Sequence, residues 1–416
     1  MKTIHSQRGP APVLLVLCYF SLPLFLAGDW PQFLGPQRNG RSSETGLAGA
    51  WNKEGPPVIW EKAVGAGFAG PAVAQGKLIL FHRVANEEVI EALEAGTGKE
   101  IWKCAYPTND RDDYGVGEGP RATPTVAADT VFTLGASGDL YAVGLQDGKV
   151  RWHRAMNDEY KVQKGYFGVA TSPLVEGKLL LLNIGGAEAG IVALDTETGK
   201  EMWRSTKDEA SYSSPVVATL GGQRVAVFLT RLGIVILEPA TGKVLFSKRW
   251  RARINASVNA ASPVVFEDRL FFTSSYSVGA IALRATAGAF ETLWQGDESL
   301  TSHYGTPVAL DGMLYGFDGR QEGGARLRCV ELDTGKVRWT AEGFGCGSLI
   351  LAEQKLYILS EKGELFCIAA TPVGYREQAR ANVLNGLCRA QIALSDGRLY
   401  GRSDKKLVCW NLKKAP

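Results

Sequence analysis

The chain has 416 residues and a formal net charge of +3, from 46 basic against 43 acidic side chains, a balance that gives no electrostatic footprint for a nucleic-acid partner. With 45% hydrophobic and 21% charged residues it has the composition of a folded protein and not of a disordered one. Its 49 glycines imply many tight turns and favour short strands over long helices.

In chain order, the first 28 residues stand apart. Lys2 and Arg8 supply a positive start, and an apolar run extends from Ala11 to Ala27, broken only by Tyr19, Ser21 and Pro23. Ala27 and Gly28 are small, and Asp29 opens a polar segment. This is the pattern of a secretory signal peptide. The short run and Pro23 count against a membrane anchor. Cys18 follows Leu17 where a lipidation site takes a small residue. No later segment is long and apolar enough to span a bilayer. The expected protein is exported, to the periplasm or outside the cell, with membrane association through a lipid as a weaker alternative.

Residues 29–57 form a lead-in, expected to pack as a polar segment against the domain that begins at Val58. From there the dominant signal is self-similarity, which decides the fold and has to be sought first. Units open at Gly70-Pro71, Thr123-Pro124, Ser172-Pro173, Ser214-Pro215, Ser262-Pro263 and Thr306-Pro307, about 41 to 53 residues apart. Each continues as apolar runs separated by Gly or Asp turns and closes on an aromatic residue: Trp102, Trp152, Trp203, Phe246, Trp294 and Trp339. A turn such as Thr198-Gly199-Lys200 precedes the aromatic; the fifth unit departs, with Thr286-Ala287-Gly288. A seventh unit from Gly347-Ser348 lacks its Trp, and an eighth, near Cys388 to Leu412, lacks a fourth strand.

Four short strands fit each unit. Second strands such as Leu179 to Leu182 have no polar side, so both faces need cover. Stacking units around an axis gives that cover and protects the edges. The strand missing from the eighth unit is Val58-Ile59-Trp60-Glu61-Lys62, a closing Trp strand with no unit before it. The expectation is an all-β, eight-bladed propeller over 58–412, closed by its N-terminal strand, with a tail at 413–416. Trp60, Trp102, Trp152, Trp203, Trp294 and Trp339 are read as structural, each burying about 150–250 Å² on the glycine turn of a neighbouring blade.

Six cysteines lie beyond the signal segment. Cys329, Cys367 and Cys409 fall at one equivalent strand position, where a buried thiol acts as a small hydrophobe. Cys346 and Cys388 occupy similar places in adjacent units, which leaves a bridge between them open. No CxxC or CxxCH motif occurs.

Trp docking after a Thr-Gly-Lys turn, repeated around a ring, resembles the PQQ-like repeat of the quinoprotein alcohol dehydrogenase-like superfamily. The resemblance covers Val58 to Leu412. The segment Asp29-Trp30-Pro31-Gln32-Phe33-Leu34-Gly35-Pro36 with Arg38-Asn39-Gly40 looks like the N-terminal signature of planctomycete-type members. The resemblance implies two kinds of role, and fold does not choose between them. Some members are periplasmic dehydrogenases using pyrroloquinoline quinone and Ca²⁺; BamB-type members use the ring as a binding scaffold. The dehydrogenases are longer and usually carry an adjacent Cys-Cys pair, which this chain lacks, so no quinone or calcium ligands are carried over. The first reading is a non-catalytic binding or scaffold propeller without cofactor; the alternative is a PQQ- and Ca²⁺-dependent oxidoreductase or another enzyme sited in the channel.

Contacts are expected on loops at a ring face. The loop from Cys104 to Ala122 offers Asp110, Asp112, Asp113, Tyr114, Glu118 and Arg121. Its carboxylates are of the kind Ca²⁺ takes, but the spacing is not that of an EF-hand, and no metal site is expected. Later loops add Tyr160, Lys164, Tyr166, Phe167, Tyr212, Asn255, Asn259, His303 and Tyr304. No second His stands at zinc-ligand spacing from His303, and no GxSxG elbow is present. Lys248 to Arg253 is the strongest basic cluster. The candidate ring-face contacts are Tyr114, Arg121, Tyr166, Phe167, Tyr212, Asn255, Asn259, His303 and Tyr304. The expected partner is an envelope protein or an extracellular polymer, engaged by a monomer or by a member of an assembly.

Overall fold

The computed structural model describes residues 28–414 except 113, 116, 164, 166 and 256. The expected signal peptide, apart from Gly28, lies outside the described residues, and Cys18 with it. So do Asp113, Lys164 and Tyr166.

The described chain forms eight four-stranded antiparallel sheets. Blade 1 consists of strands Ala72–Ala74, Lys77–Val84, Glu87–Glu94 and Glu100–Pro107, here a to d from the axis outwards. Blades 2 to 7 repeat it over 125–155, 174–205, 216–249, 264–296, 308–341 and 347–382. The turn between strands a and b of blade 1 shows why the chain reverses so tightly. Gln75 and Gly76 both have positive φ, +50° and +74°, as a two-residue hairpin turn matched to strand twist requires.

Blade 8 takes Ala393–Ser395, Arg398–Arg402 and Lys406–Asn411 from the end of the chain and Val58–Ala63 from its beginning. The register across that join pairs Trp60 with Cys409, Glu61 with Val408 and Lys62 with Leu407. The eight-bladed ring read from the repeat is therefore the observed fold, closed by the N-terminal strand.

The core lies between blades, not within them. Phe81 and Trp102 of blade 1 share one cluster with Val131 and Val143 of blade 2. Phe132 of blade 2 shares the next with Leu180 and Val192 of blade 3. The pattern continues until one cluster joins blades 7, 8 and 1 through Tyr357, Tyr400 and Leu80. Each fully buried Leu contributes roughly 1.5–3 kcal/mol, so the apolar second and third strands are what hold neighbours together.

The closing tryptophans bridge the same seams. Trp102 Nε1 donates to Leu145 O of the next blade at 2.9 Å, and its ring covers Gly148, where a Cβ would come within 2.5 Å of it. Trp152, Trp203 and Trp294 donate to Thr196, Pro239 and Leu332 carbonyls and cover Gly199, Gly242 and Gly335. Trp339 donates to Thr371 O. The two departures in the sequence have a common cause. Gly288, in the altered turn of blade 5, has no atom within 4 Å of a Cβ position, and the preceding blade correspondingly carries Phe246, which meets Phe290 instead. Blade 7 carries Ala379 at the Trp position, opposite Cys367. Its neighbour, blade 8, draws strands c and d from opposite ends of the chain and so has no turn on which a Trp could dock.

A belt of hydrogen bonds runs around the inner strands. Gly70 N donates to Thr123 Oγ1, Thr123 N to Ser172 Oγ, Ser172 N to Ser214 Oγ, Ser214 N to Ser262 Oγ and Ser262 N to Thr306 Oγ1. This is why blades 2 to 6 open on Ser or Thr before Pro. The belt residue of blade 7 is Ser348, whose hydroxyl is buried without a partner.

The lead-in packs against the ring, but its first stretch, residues 30–40, is largely buried and not a polar surface layer, and it forms a plug across the channel. Trp30, 1% exposed, pairs with Val73 of blade 1, and Pro31 O accepts from Val126 N of blade 2. Arg38 reaches Ser172 O and Pro173 O of blade 3. Gly40 and Ser42 bond the backbone of Leu351 in blade 7. Gly40 has φ +69°, and a Cβ there would stand 2.6 Å from Val308 of blade 6. Blades 3 and 7 face each other across an eight-bladed ring, so this segment crosses the axis. It lies on the face of the a–b turns, where Glu353 accepts from Gly46 N and Leu47 N. The d-to-a loops lie on the opposite, open face.

Candidate functional site

The open mouth is built by the loops that carry each chain segment from an outer strand back to the next inner one. Arg121 stands at its centre of organisation. The guanidinium lies 5.1 Å from the Phe68 ring centre and 5.2 Å from that of Phe167. Arg121 Nε donates to Phe167 O and Nη2 to Gly117 O. Burial lowers its pKa.

Phe167 extends the cluster. Its ring lies 5.5 Å from Tyr114 and 5.9 Å from Tyr212, and its N–H donates to the Tyr212 hydroxyl at 2.8 Å. Tyr114 is 57% exposed. Four of the sequence candidates thus meet on one arc of the mouth. Phe68 completes the arc and escaped sequence reading, because a lone Phe in a Gly-rich loop gives no signal.

The other arc is charged and polar. Arg389 Nε donates to Glu361 Oε1 at 2.6 Å, and its guanidinium lies 5.8 Å from Phe68. Tyr304 is next to Cys346 and Glu361, and burial holds its phenol well above the usual range. His303 sits between Tyr276 and Gln321. Gln321 Nε2 donates to Glu322 Oε1, which can only accept, so Gln321 Oε1 faces His303 Nδ1 at 2.7 Å. Nδ1 therefore carries the proton, and Nε2 accepts from the Tyr276 hydroxyl at 3.0 Å. Burial lowers the His303 pKa and keeps the ring neutral. Both its nitrogens are used, and no serine hydroxyl among the described residues bonds it.

Other candidates lie away from this cluster. Asn259 is 3% exposed and is part of the wall: Nδ2 donates to Thr230 O, and Oδ1 accepts from Ser274 Oγ. Its carbonyl accepts from Tyr212 N and Ser213 N, so it holds the aromatic arc in place. Tyr160 lies on the flank, where its hydroxyl donates to Glu201 and the Arg204 guanidinium covers its ring. Asn255 is on the exposed rim and its carbonyl accepts from Arg231 Nη2. Of the basic cluster, Trp250 is buried and Arg253 is exposed.

Among the described residues, no three His, Cys, Asp or Glu side chains converge where they could hold a metal ion. In the acidic loop, Asp112 is occupied as a cap on Tyr114 N and Gly117 N. The six described cysteines are all free thiols, so Cys346 and Cys388 are not bridged. No helix among the described residues is long and apolar enough to cross a membrane.

Eight blades around a plugged axis, six of them docked by a Trp, define a PQQ-repeat β-propeller. The family model described as outer membrane protein assembly factor BamB matches residues 41–162 and 85–341, more than half of the chain, and the chain belongs to that PQQ-repeat family. Among curated relatives, it is 31% identical over 158 residues to the serine/threonine-protein kinase AfsK of Streptomyces griseus, across 38% of this chain and 18% of that one. It is 26% identical over 157 residues to outer membrane protein assembly factor BamB of Shewanella oneidensis, across 36% of each. The matches thus span about a fifth to a third of those relatives' lengths. Among solved structures, BamB of Moraxella catarrhalis aligns with a TM-score of 0.61 at 15% identity, over 86% of this chain and 99% of that one. The quinohemoprotein alcohol dehydrogenase of Comamonas testosteroni aligns with a TM-score of 0.64 at 15% identity, over 94% and 81%. At such identities these two likenesses speak for the fold alone.

Proposed function

We propose that the protein is an exported, non-catalytic binding or scaffold propeller that engages an envelope protein or an extracellular polymer through its open face. The observation that carries this reading is the asymmetry of the two ends. One end of the channel is stopped by the protein's own Trp30 to Arg41 segment; the other presents Tyr114, Phe167 and Tyr212 packed around Arg121. Tyr and Arg held rigidly at a surface are the residue types that anchor protein interfaces. The neutral, fully bonded His303 suits a positioning role better than proton transfer. The likeness to an outer membrane assembly factor supports a protein as the partner.

The test is capture from envelope extracts by the immobilised mature chain. Tyr114→Ala should lower the amount of a captured partner about tenfold, the equivalent of 1.4 kcal/mol, with an unchanged melting temperature. Equal capture by wild type and variant, or nothing above background, would overturn the reading. Export is tested by the mature N-terminus, which should begin at Asp29.

A further inference from the structure

Lys248, Arg249, Arg251 and Arg253 of blade 4 are surface cations without a counter-ion. The outer strand of that blade, Val244–Arg249, ends in Lys248 and Arg249, and the loop that follows carries Arg251 and Arg253 towards the open face. From Pro239 to Phe266 the chain has five basic residues and no acidic one. No carboxylate among the described residues pairs with any of the four; Arg251 Nε donates only to Ala252 O. The cause lies in the register. Lys248 stands opposite Ile234 and Arg249 opposite Gly233, on a third strand, Gly233–Leu237, that has no polar side chain to offer.

The rest of the ring edge is neutralised. Every other Lys or Arg described on an outer strand meets a carboxylate: Lys103 meets Glu91, Arg151 meets Asp129 and Arg338 meets Glu331, and the same holds on blades 3, 7 and 8. A lone charge on an edge strand deters unwanted pairing. Four within six residues repel one another, a cost that an anionic partner would remove. Arg249 and Arg253 are exposed, and Ile254 beside them is 53% exposed. The strand is also the last in its sheet, so the backbone N–H and C=O groups along its outer side have no strand partner.

We propose that the outer edge of blade 4 is a docking site for an acidic, extended segment of a partner protein, which adds to the blade as a fifth strand. Lys248 and Arg249 project to opposite faces of their strand. Carboxylates on successive residues of an added strand therefore come within reach of both, at about 5 Å between Cβ atoms. Arg251 and Arg253 carry the contact over the rim, where a planar guanidinium takes both oxygens of a carboxylate, and Ile254 adds apolar area. A polypeptide answers the backbone groups of the edge and the charges together; a lipid headgroup or an acidic sugar answers the charges alone. The site lies on the flank of the ring and does not rest on the aromatic arc of the open face. Tyr114→Ala reads that arc and the variants below read this edge, so either can fail alone.

The experiment measures binding of a labelled Glu-Val-Glu-Glu-Val-Glu peptide to the mature chain by fluorescence anisotropy. The same peptide with Gln for Glu, the same peptide N-methylated at alternate residues, and phosphatidylglycerol vesicles are measured beside it. Wild type should bind the acidic peptide about tenfold more tightly than the Gln peptide. The variant carrying Lys248→Gln, Arg249→Gln, Arg251→Gln and Arg253→Gln should bind the acidic peptide about tenfold more weakly than wild type does. N-methylation, which removes backbone donors, should weaken binding by about the same factor. Binding should also fall between about 0.1 M and 1 M salt, as the screening length drops from about 10 Å to about 3 Å. No binding of the acidic peptide overturns the proposal, as does equal binding by wild type and variant or equal binding of the N-methylated peptide. Vesicle binding without peptide binding assigns the charges to a lipid surface and overturns it too. If the fourfold variant melts below wild type, the double variant Arg249→Gln with Arg253→Gln, exposed at both places, decides instead, with an expected loss of about threefold.

Discussion

Trp60 lies flat against Gly98, and the two stand on either side of the seam between the last blade and the first. A Cβ on Gly98 would stand 2.7 Å from the indole, and Trp60 Nε1 donates to Ala95 O at 3.0 Å. Trp60 is on the strand that completes blade 8, whereas Gly98 is in blade 1. This contact is therefore the latch by which the last blade meets the first.

Truncating the latch should be expensive. Trp60→Ala should destabilise the chain by about 3–5 kcal/mol. Gly98→Ala adds a Cβ both at φ +72° and into the ring, so strain of about 1–2 kcal/mol and overpacking of about 1–3 kcal/mol combine. Gly288→Ala, at φ +83° with open space around it, should cost only the first of these. Urea unfolding midpoints of the three variants should rank in that order.

The same seam makes stability depend on pH. His82 Nδ1 accepts from Gly65 N at 2.9 Å, and Nε2 stands 3.6 Å from Glu91, which also meets Lys62 and Lys103. Burial, followed by the charges of Arg402, Lys62 and Lys103, lowers the His82 pKa from 6.5 to about 4. The folded state thus resists a proton that the unfolded state accepts. The stability this supplies is present above pH 6.5 and is lost as pH falls from there to about 4, by at most about 3 kcal/mol. His82→Asn should flatten the pH profile of the unfolding free energy across that window. An unchanged slope would remove His82 from the account.

The plug should be an integral part of the ring. Trp30→Ala should cost about 3–5 kcal/mol. Gly40→Ala, which drives a Cβ into Val308, should loosen the plug without opening the blades. Limited proteolysis of that variant should cut within residues 29–41 faster than in wild type, while the ring stays resistant.

The cysteines give a chemical readout. Burial pushes the thiols of Cys346, Cys367, Cys388 and Cys409 up to about 12 and that of Cys329 to about 11, so none is a thiolate at pH 8. Cys104, half-buried, should be the first to react with a thiol reagent in the native protein. After denaturation, the mature chain should titrate six thiols. A seventh would show that Cys18, and with it the signal segment, is retained; four would show a bridge.

Much of this was legible in the residues because the contacts repeat. A blade touches only its neighbours, so each Trp, each glycine turn and each Ser/Thr-Pro start meets the same kind of partner one unit further on, and the pattern declares itself by recurrence. The orphan strand at Val58 to Lys62 was legible by subtraction, since the eighth unit lacked what the first residues offered. The aromatic arc was only half legible: Tyr114, Arg121, Phe167 and Tyr212 stood out as loop residues, but Phe68 did not, and Asn259 proved to be wall.

The plug was beyond the reach of sequence. Arg38 meets Ser172 at a separation of 134 residues, once, with no second copy to mark it. Composition and periodicity determined the blades, their number and their closure, because local pattern and nearest-neighbour burial suffice to specify a ring. Which end of the channel is closed and which face is left open were decided only by tertiary structure, since they depend on a single non-repeating segment that touches blades on both sides of the axis at once.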